Sequence, residues 1–140
     1  SRSVRSRLTI ENDDKESLYT VKDLMFLHER IKIPIVFDYH HHKCQKDPMS
    51  EEDALRLAAS TWPEGIKPVV HYSESKALHE SDNKIKPQAH SDYVNALPNL
   101  YGVQADVMIE AKAKELTLLK IRESENLCHY SGLRKVESYK

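Results

Sequence analysis

The stretch Ile35–Cys44, IVFDYHHHKC, decides the expected fold, because an apolar run leads directly into an aspartate and three consecutive histidines. Pro34 ends the helical pattern before it, and the run Ile35–Phe37 is apolar on both faces, as in a parallel strand covered by helices. A hydrophobic core would not gather four polar groups, since each buried polar group needs a partner. The stretch therefore predicts a buried strand with metal-ligating side chains at its carboxyl end.

The rest of the chain alternates between strand-like and helix-like patterns. Strands are predicted at residues 7–11, 35–37, 68–71 and 105–110. Helices are predicted at residues 20–33, 50–63 and 111–124, and the first two open with the capping boxes Thr20–Asp23 and Ser50–Asp53. Residues 74–91 are expected to form a loop and residues 92–100 a short helix, while the tail from residue 125 shows no periodicity. In the last helix the apolar side is expected to hold Leu116, Leu118 and Leu119.

The order of these elements predicts an α/β protein with parallel strands and right-handed crossovers. The 140 residues fit a single domain, residues 1–140. Four βα units are half of a TIM-type (β/α)8 barrel, which needs about 250 residues when complete. Periodicity alone leaves open both a small open sheet and a half-barrel.

Composition excludes some classes of protein and leaves others open. The chain is 39% hydrophobic and 31% charged, which fits a soluble globular domain, and no apolar run approaches the roughly 18 residues of a membrane helix. A net charge of −1 does not decide for or against nucleic acid, because carboxylates of a metal site lower the formal charge. The two cysteines have no metal-type spacing, so we expect an intracellular, reducing compartment and no membrane association.

Polar side chains follow each predicted strand at the point where it ends. These are Glu11, Asp38 with His40–His42, His71 and Glu110. The carboxyl ends of parallel strands form one rim, so these groups are expected to converge on one pocket. Carboxylates and imidazoles without thiolates suit a hydrolytic Zn²⁺ or Mn²⁺ centre. The spacing Asp38-x-x-His41 lets the carboxylate at the strand end and the imidazole on the turn that follows face the same ion.

Each of these residues also has a plainer interpretation, since a lone histidine or glutamate at a strand end is more often an ordinary loop residue. Four matching strand ends are harder to dismiss, and they favour the metal site. Other candidates are given structural roles. We expect His40 and His42 to support the ligands or lie at the surface, and His28 to pack. Trp62 is expected to anchor a helix end, with base stacking as the alternative. The residues expected to be solvated are His79, His129, Lys76, Lys84 and Lys86, and for the three lysines a contact to a nucleic-acid backbone is the alternative.

Several motifs resemble the carboxyl-terminal half of the UV damage endonucleases over about residues 7–120. They are LTIENDDK, YTVKDL, IPIVFDYHHH, LAASTWP, IKPVVHYSES, AHSDYV and DVMIEAKAKE. The resemblance implies a TIM barrel similar to endonuclease IV. It also implies a cluster of two or three divalent ions, Mn²⁺ before Zn²⁺ or Mg²⁺, that hydrolyses the DNA backbone 5' to UV photoproducts.

The resemblance also assigns roles to individual residues. The metal ligands it implies are Glu11, Asp38, His41, His71, His90 and Glu110. Glu11 and Glu110 would be the catalytic carboxylates that hold or bridge ions. The spacing, and not the resemblance, points to Lys112: two residues after Glu110, it would face the same side if the strand continues and would be a candidate contact to a DNA phosphate.

The implied partner is damaged double-stranded DNA, and the implied location is intracellular, in the bacterial cytoplasm or a eukaryotic nucleus. The family's barrel has about twice as many residues, and its amino-terminal half, which we do not find in these 140 residues, contributes further histidine ligands. The activity is therefore expected of the intact enzyme. Two alternatives stay open: a sugar isomerase of the same barrel type, and a non-catalytic metal-binding or DNA-binding module.

Overall fold

A four-stranded parallel sheet organises the computed structural model, which describes residues 2–124. The strands are β1 (Ile10–Glu11), β2 (Ile35–Asp38), β3 (Val69–Tyr72) and β4 (Asp106–Ile109), and they lie in the order β1-β2-β3-β4. The helices are α1 (Arg2–Arg5), α2 (Val21–Ile31), α3 (Tyr39–Gln45), α4 (Glu51–Ala59) and α5 (Lys76–Glu80), and residues 115–124 are also helical. The predicted α/β class with parallel strands is confirmed.

The core lies between β2 and the helices α2 and α4, which pack against it. All four residues of β2 are buried, as the two-sided apolar pattern predicts. From the helices, Val21 and Leu55 are fully buried on the same core. The rings of Phe37 and Tyr39 meet edge to face with centroids 4.8 Å apart, a geometry that favours aromatic contacts. A central strand fixed on both faces gives its carboxyl end a defined position.

The helix starts follow the predicted capping chemistry. The Thr20 Oγ1 atom accepts the Asp23 N–H at 3.1 Å, while Asp23 Oδ2 accepts the Thr20 N–H at 2.9 Å, so the capping box is complete. The Ser50 Oγ atom accepts the Asp53 N–H at 3.0 Å at the start of α4. Since these bonds satisfy amide groups that the helix itself cannot, both helices begin where the sequence indicates.

The segment after α4 fastens that helix to the start of β2. The buried Thr61 Oγ1 accepts the Ile35 N–H at 2.8 Å and donates to the Ala58 carbonyl at 2.6 Å. The Trp62 indole N–H donates to the Ile35 carbonyl at 2.8 Å. The expected role of Trp62, anchoring a helix end against the sheet, is therefore confirmed. Helix α4 itself ends at Ala59, slightly earlier than predicted.

Three segments differ from the expected secondary structure. Residues 39–45 form α3 instead of a turn, and Asp38 caps this helix. The sequence does not predict this helix, because its consecutive histidines show no apolar periodicity. Five residues inside the predicted loop form α5, which is too short to show a pattern. The short helix expected at residues 92–100 is wrong: this segment consists of bends and irregular backbone, and it contains Pro98.

The last described helix faces the core with a different side from the one predicted. Thr117 is fully buried and Ile121 nearly so, whereas the three leucines expected on the apolar side are 42–52% exposed: Leu116, Leu118 and Leu119. The buried Thr117 hydroxyl donates to the Asp92 carbonyl at 3.3 Å, which explains why a polar residue takes the inner position. The tail from residue 125, with His129, lies outside the described residues.

We predict that Thr61→Val lowers the free energy of unfolding by about 1–3 kcal/mol, because it leaves the buried Ile35 N–H without an acceptor while the side chain keeps its shape. Urea denaturation at neutral pH measures the change. The control is Ser60→Ala, which removes an exposed hydroxyl on the neighbouring residue and should change stability by less than about 0.5 kcal/mol. An unchanged midpoint for Thr61→Val would contradict this account of the junction.

Candidate metal centre

The carboxyl ends of the strands bring carboxylates and imidazoles into contact at one edge of the sheet. In the sheet register, Asp38 of β2 lies beside His71 of β3. The Glu11 Oε1 atom lies 3.3 Å from His41 Nδ1 and 3.3 Å from His71 Nδ1. Glu110 follows β4, and its Oε1 atom lies 3.4 Å from the same His71 nitrogen. These five side chains therefore converge at one edge of the sheet, as predicted.

Two overlapping groups of side chains have the spacing of metal ligands. In each group one ligand atom per residue lies within 4.8 Å of the others. The first group is Glu11, Asp38 and His41, and the second is Asp38, His71 and Glu110. Asp38 belongs to both groups, so its carboxylate occupies the middle of the site. These groups could hold divalent cations.

The position of Asp38 follows from its place between β2 and α3. It is the last residue of the strand and the N-cap of the helix, and its Oδ1 atom accepts the His41 N–H at 2.8 Å. Since the cap fixes the first turn, His41 returns towards the sheet edge instead of leaving it. The spacing Asp38-x-x-His41 thus works through a helix cap, where the sequence indicated only a turn.

Asn12 holds the ends of β1 and β2 together, and sequence reasoning gave it no role. This residue is only 1% exposed. Its side-chain amide donates to the Asp38 carbonyl at 3.0 Å and accepts the Asp38 N–H at 2.8 Å. The Asn12 carbonyl lies 2.9 Å from His41 Nδ1, a contact that places the proton on Nδ1 and leaves the Nε2 lone pair available for a cation. Its position immediately after Glu11 was the only available signal.

Two buried polar atoms at the centre of the site have no hydrogen-bond partner among residues 2–124. They are Asp38 Oδ2 and His71 Nδ1. The His71 nitrogen contacts carboxylate oxygens at 3.3 and 3.4 Å without an aligned hydrogen bond. Unpartnered buried polar atoms are costly and uncommon, and a cation would satisfy both atoms at once. The donor set is carboxylate oxygen and imidazole nitrogen, so the residues present fit a divalent metal ion.

The electrostatics of the site also fit a bound cation. Burial raises the pKa of Asp38 to about 6, and the nearby Glu11 carboxylate adds to this rise. Burial also acts to raise the pKa of Glu11, but the His71 and His41 imidazoles outweigh it and lower that pKa. The Glu11 carboxylate, followed by those of Glu110 and Asp38, raises the pKa of His71. Without a cation the site therefore favours protons on Asp38 and His71.

His90 lies beside this cluster but in neither ligand group. Its Nδ1 atom makes a 3.1 Å hydrogen bond with the Glu110 carbonyl, which leaves Nε2 free of that contact. Its ring lies 5.4 Å from the His40 ring and 6.5 Å from the His41 ring, measured between centroids. His90 is thus close enough to support the site, in the loop where the resemblance places a ligand.

The neighbouring histidines are buried, so the surface alternative for them is wrong. His40 is 3% exposed beside Cys44, and burial lowers its pKa. His42 is 7% exposed, packs edge-on against Phe37 and lies 3.7 Å from Asp47 Oδ2 through its Nδ1 atom. His40 therefore contacts the site, whereas His42 belongs to the core beneath it.

The remaining candidates belong to neither ligand group. Strand β4 ends at Ile109, so it does not continue to Lys112 as the prediction for this residue required. Lys112 lies instead in a turn and is exposed. His28 is partly buried and its Nδ1 atom lies 2.9 Å from the Ile33 carbonyl at the end of α2. His79 is exposed and pairs with Glu74. Lys84 and Lys86 are exposed as predicted, while Lys76 is partly covered and pairs with Glu80 at 3.4 Å.

Among the described residues, the helices are all too short or too polar to cross a bilayer. The fold and cluster define a class: an α/β protein of TIM-barrel type with a candidate metal centre at the carboxyl edge of its sheet. The whole chain, residues 1–140, matches the family described as UV-endonuclease UvdE. The chain belongs to this family, and the resemblance seen in the sequence is confirmed.

Individual relatives agree with this assignment. The UV DNA damage endonuclease of Halalkalibacterium halodurans is 34% identical over 96% of this chain and 42% of its own length. The protein of the same name from Bacillus velezensis is 38% identical over 86% of this chain and 38% of its own length. The crystal structure of SacUVDE matches with a TM-score of 0.71 and 30% identity, over 92% of this chain and 43% of that chain. The chain thus spans about two fifths of these relatives.

We predict that Asp38→Asn stabilises the metal-free protein at pH 8 more than at pH 5. A folded-state pKa of about 6, above the unfolded value near 3.9, means that the folded state binds more protons between these values. The protonated Asp38 carboxyl therefore stabilises the wild-type protein at pH 5, and this contribution to the free energy of unfolding is lost as the pH rises towards 8. Urea denaturation in the presence of a chelator should show the advantage of Asp38→Asn growing by about 1–2 kcal/mol from pH 5 to pH 8.

The control for this experiment is Asp106→Asn, the same substitution at an exposed carboxylate at the opposite end of the sheet. Its effect should stay constant between the two pH values. If the effect of Asp38→Asn on the free energy of unfolding is also the same at pH 5 and pH 8, then burial does not raise the pKa of Asp38.

Proposed function

We propose that this chain is part of a metal-dependent DNA repair endonuclease that hydrolyses the backbone 5' to UV photoproducts in double-stranded DNA. The observation that carries the proposal is the pair of buried, unpartnered atoms, Asp38 Oδ2 and His71 Nδ1, at the meeting point of the strand ends. Membership of the UvdE family and the name of its relatives, UV DNA damage endonuclease, support UV-damaged DNA as the substrate and cleavage of its backbone as the reaction. Together they favour a nuclease over a sugar isomerase.

The proposed ligands divide into two sets that share one carboxylate. Glu11, Asp38 and His41 would hold one cation, and Asp38, His71 and Glu110 would hold a second. Asp38 is therefore the proposed bridging ligand, a role that sequence reasoning gave to Glu11 and Glu110. His90 would complete the second set through Nε2, since its Nδ1 atom is bonded to the Glu110 carbonyl. Manganese is the proposed ion, and zinc and magnesium are the alternative ions.

Bound divalent cations would supply charge to neutralise the scissile phosphate and its leaving oxygen, and would lower the pKa of a water molecule. The protein's part is to hold the ligands in place before substrate arrives. Asn12 fixes the orientation of His41, and the Asp38 cap fixes the turn that carries it. Glu11 and Glu110 are the proposed catalytic carboxylates, because they flank His71 at the open edge of the site.

The proposed DNA substrate suggests a role for Lys112 and a location for the protein. Lys112 is exposed and lies two residues beyond Glu110, which keeps it as the proposed contact to a DNA phosphate. A genomic DNA substrate implies action inside the cell, in the cytoplasm of a bacterium or the nucleus of a eukaryote. Because the chain spans about two fifths of its relatives, the activity proposed is that of the whole protein. Further ligands would come from the amino-terminal half of the barrel.

We predict that Glu11→Gln and His71→Ala, made in the whole protein, each lower the rate of nicking of UV-irradiated plasmid by about 100-fold or more with saturating Mn²⁺. Each substitution removes a ligand atom from the centre of the site. Relaxed plasmid on an agarose gel, with unirradiated plasmid in parallel, measures the rate. Chelation followed by Mn²⁺ should abolish and then restore nicking of the wild-type protein.

The matched control is Glu29→Gln on the exposed face of α2, which should nick at the wild-type rate. Wild-type rates for Glu11→Gln and His71→Ala would contradict the assignment of these ligands. Turnover of a small sugar without nicking would favour the isomerase. Uptake of Mn²⁺ by the whole protein with neither activity would favour a non-catalytic module.

A further inference from the structure

The segment that carries His90 is a long excursion between β3 and β4, and its two limbs are bonded to each other. We call residues 73–95 the His90 segment. Ser75 and His90 form an antiparallel bridge. On either side of it, the Lys76 N–H donates to the Ala89 carbonyl at 2.8 Å and the Ser91 N–H donates to the Glu74 carbonyl at 2.8 Å. The position of His90 therefore depends on how the outgoing limb is held.

The Glu74 side chain holds both limbs at once. Its Oε1 atom accepts the Tyr72 hydroxyl at 3.0 Å and the Asn95 N–H at 3.1 Å. Its Oε2 atom lies 2.5 Å from His79 Nε2 on α5. One carboxylate thus joins the end of β3, the helix of the outgoing limb and the backbone five residues after His90. Hydrogen bonds to an ionised carboxylate are stronger than neutral ones, so this junction is stiffer than its backbone bonds alone.

The charge state of Glu74 agrees with this role. Burial acts to raise its pKa, but the His79, Asn95 and Tyr72 partners outweigh burial and keep the pKa below the ordinary value. The residue also lines a cavity of about 1170 Å³ together with His40, whose ring contacts His90. Glu74 belongs to neither ligand group. Its contacts therefore reach the metal centre through the segment it fastens and through Tyr72, which follows His71 on β3.

We propose that Glu74 is a positioning residue that holds His90 against the metal centre by joining the two limbs of the His90 segment. The inference rests on the proposed function, because the position of His90 matters to Mn²⁺ only if His90 contributes to the site. A merely structural role would lower stability without moving the imidazole ring. A positioning role changes Mn²⁺ affinity and the ring's environment together.

The test compares Glu74→Gln with Glu80→Gln in the whole protein. Both substitutions remove one negative charge near α5, but Glu80 is exposed and pairs only with Lys76 among the contacts described. Isothermal titration calorimetry with Mn²⁺ should show that Glu74→Gln weakens binding by about tenfold, as for other residues that orient metal ligands, while Glu80→Gln stays within about twofold. In chelated protein, the ¹⁵N shifts of the His90 imidazole should move in Glu74→Gln and not in Glu80→Gln.

A double-mutant cycle with His90→Ala decides whether Glu74 acts through His90. If it does, Glu74→Gln adds no further loss of Mn²⁺ affinity once His90 is removed. Additive losses overturn the proposal, as does a Glu74→Gln protein with wild-type affinity and unmoved His90 shifts. If Glu74→Gln does not fold, His79→Gln removes one exposed partner and should weaken Mn²⁺ binding about threefold; unchanged binding and unchanged shifts again overturn the proposal.

His71→Ala separates this inference from the proposed function. If His71→Ala leaves Mn²⁺ affinity unchanged, the metal centre itself is wrong. If His71→Ala weakens binding but His90→Ala does not, the centre stands and the positioning role of Glu74 falls. If both weaken binding and Glu74→Gln does not, the ligands stand and only the Glu74 assignment is lost.

Discussion

The structure depends on one buried carboxylate. Asp38 is fully buried at the end of β2 and caps α3 with one oxygen, while its other oxygen has no hydrogen-bond partner in the part of the chain that the structure describes. Because strand end and helix start meet at this residue, the direction of β2 and the first turn of α3 are set together. Asn12 reinforces the junction by bonding both backbone groups of Asp38 from the neighbouring strand. A side chain that cannot cap α3 at this position would therefore disturb the fold and the site at the same time.

The same arrangement explains why the site is suited to cations. Burial of the Asp38 carboxylate beside the partly exposed carboxylate of Glu11 disfavours its charged form, and in the metal-free protein a proton on Asp38 relieves this cost. A divalent cation would relieve the repulsion and fill the coordination of the unpartnered atoms together. The core under β2 holds the carboxylates in place against this repulsion, so the aromatic and aliphatic packing around Phe37 contributes indirectly to metal affinity.

Much of the fold could be predicted from sequence because its signals are local. The capping boxes at Thr20 and Ser50, the two-sided apolar run of β2 and polar residues after each strand identify the sheet and its functional edge. Parallel pairing then brings Glu11, Asp38, His71 and Glu110 together without any knowledge of distances.

What could not be predicted depends on contacts between distant segments. Consecutive histidines have no apolar period, so α3 is visible only once Asp38 is seen as its cap. The three leucines at residues 116–119 outweigh Thr117 in any hydrophobicity pattern, yet Thr117 faces inwards because the Asp92 carbonyl needs a donor there. Asn12 and Glu74 act through carbonyl and amide groups of other segments, which leave no mark in the sequence.

The central claim is that one carboxylate, Asp38, lies between two cation positions. Crystals of the whole protein grown with Mn²⁺, measured at the manganese absorption edge, test it most directly. The account predicts two anomalous peaks, each within about 2.3 Å of an Asp38 carboxylate oxygen. The two peaks either share one oxygen or lie on different oxygens. His41 should lie beside one peak and His71 beside the other. Peaks that lie away from Asp38, or manganese bound only outside the cluster of Glu11, His71 and Glu110, would contradict it.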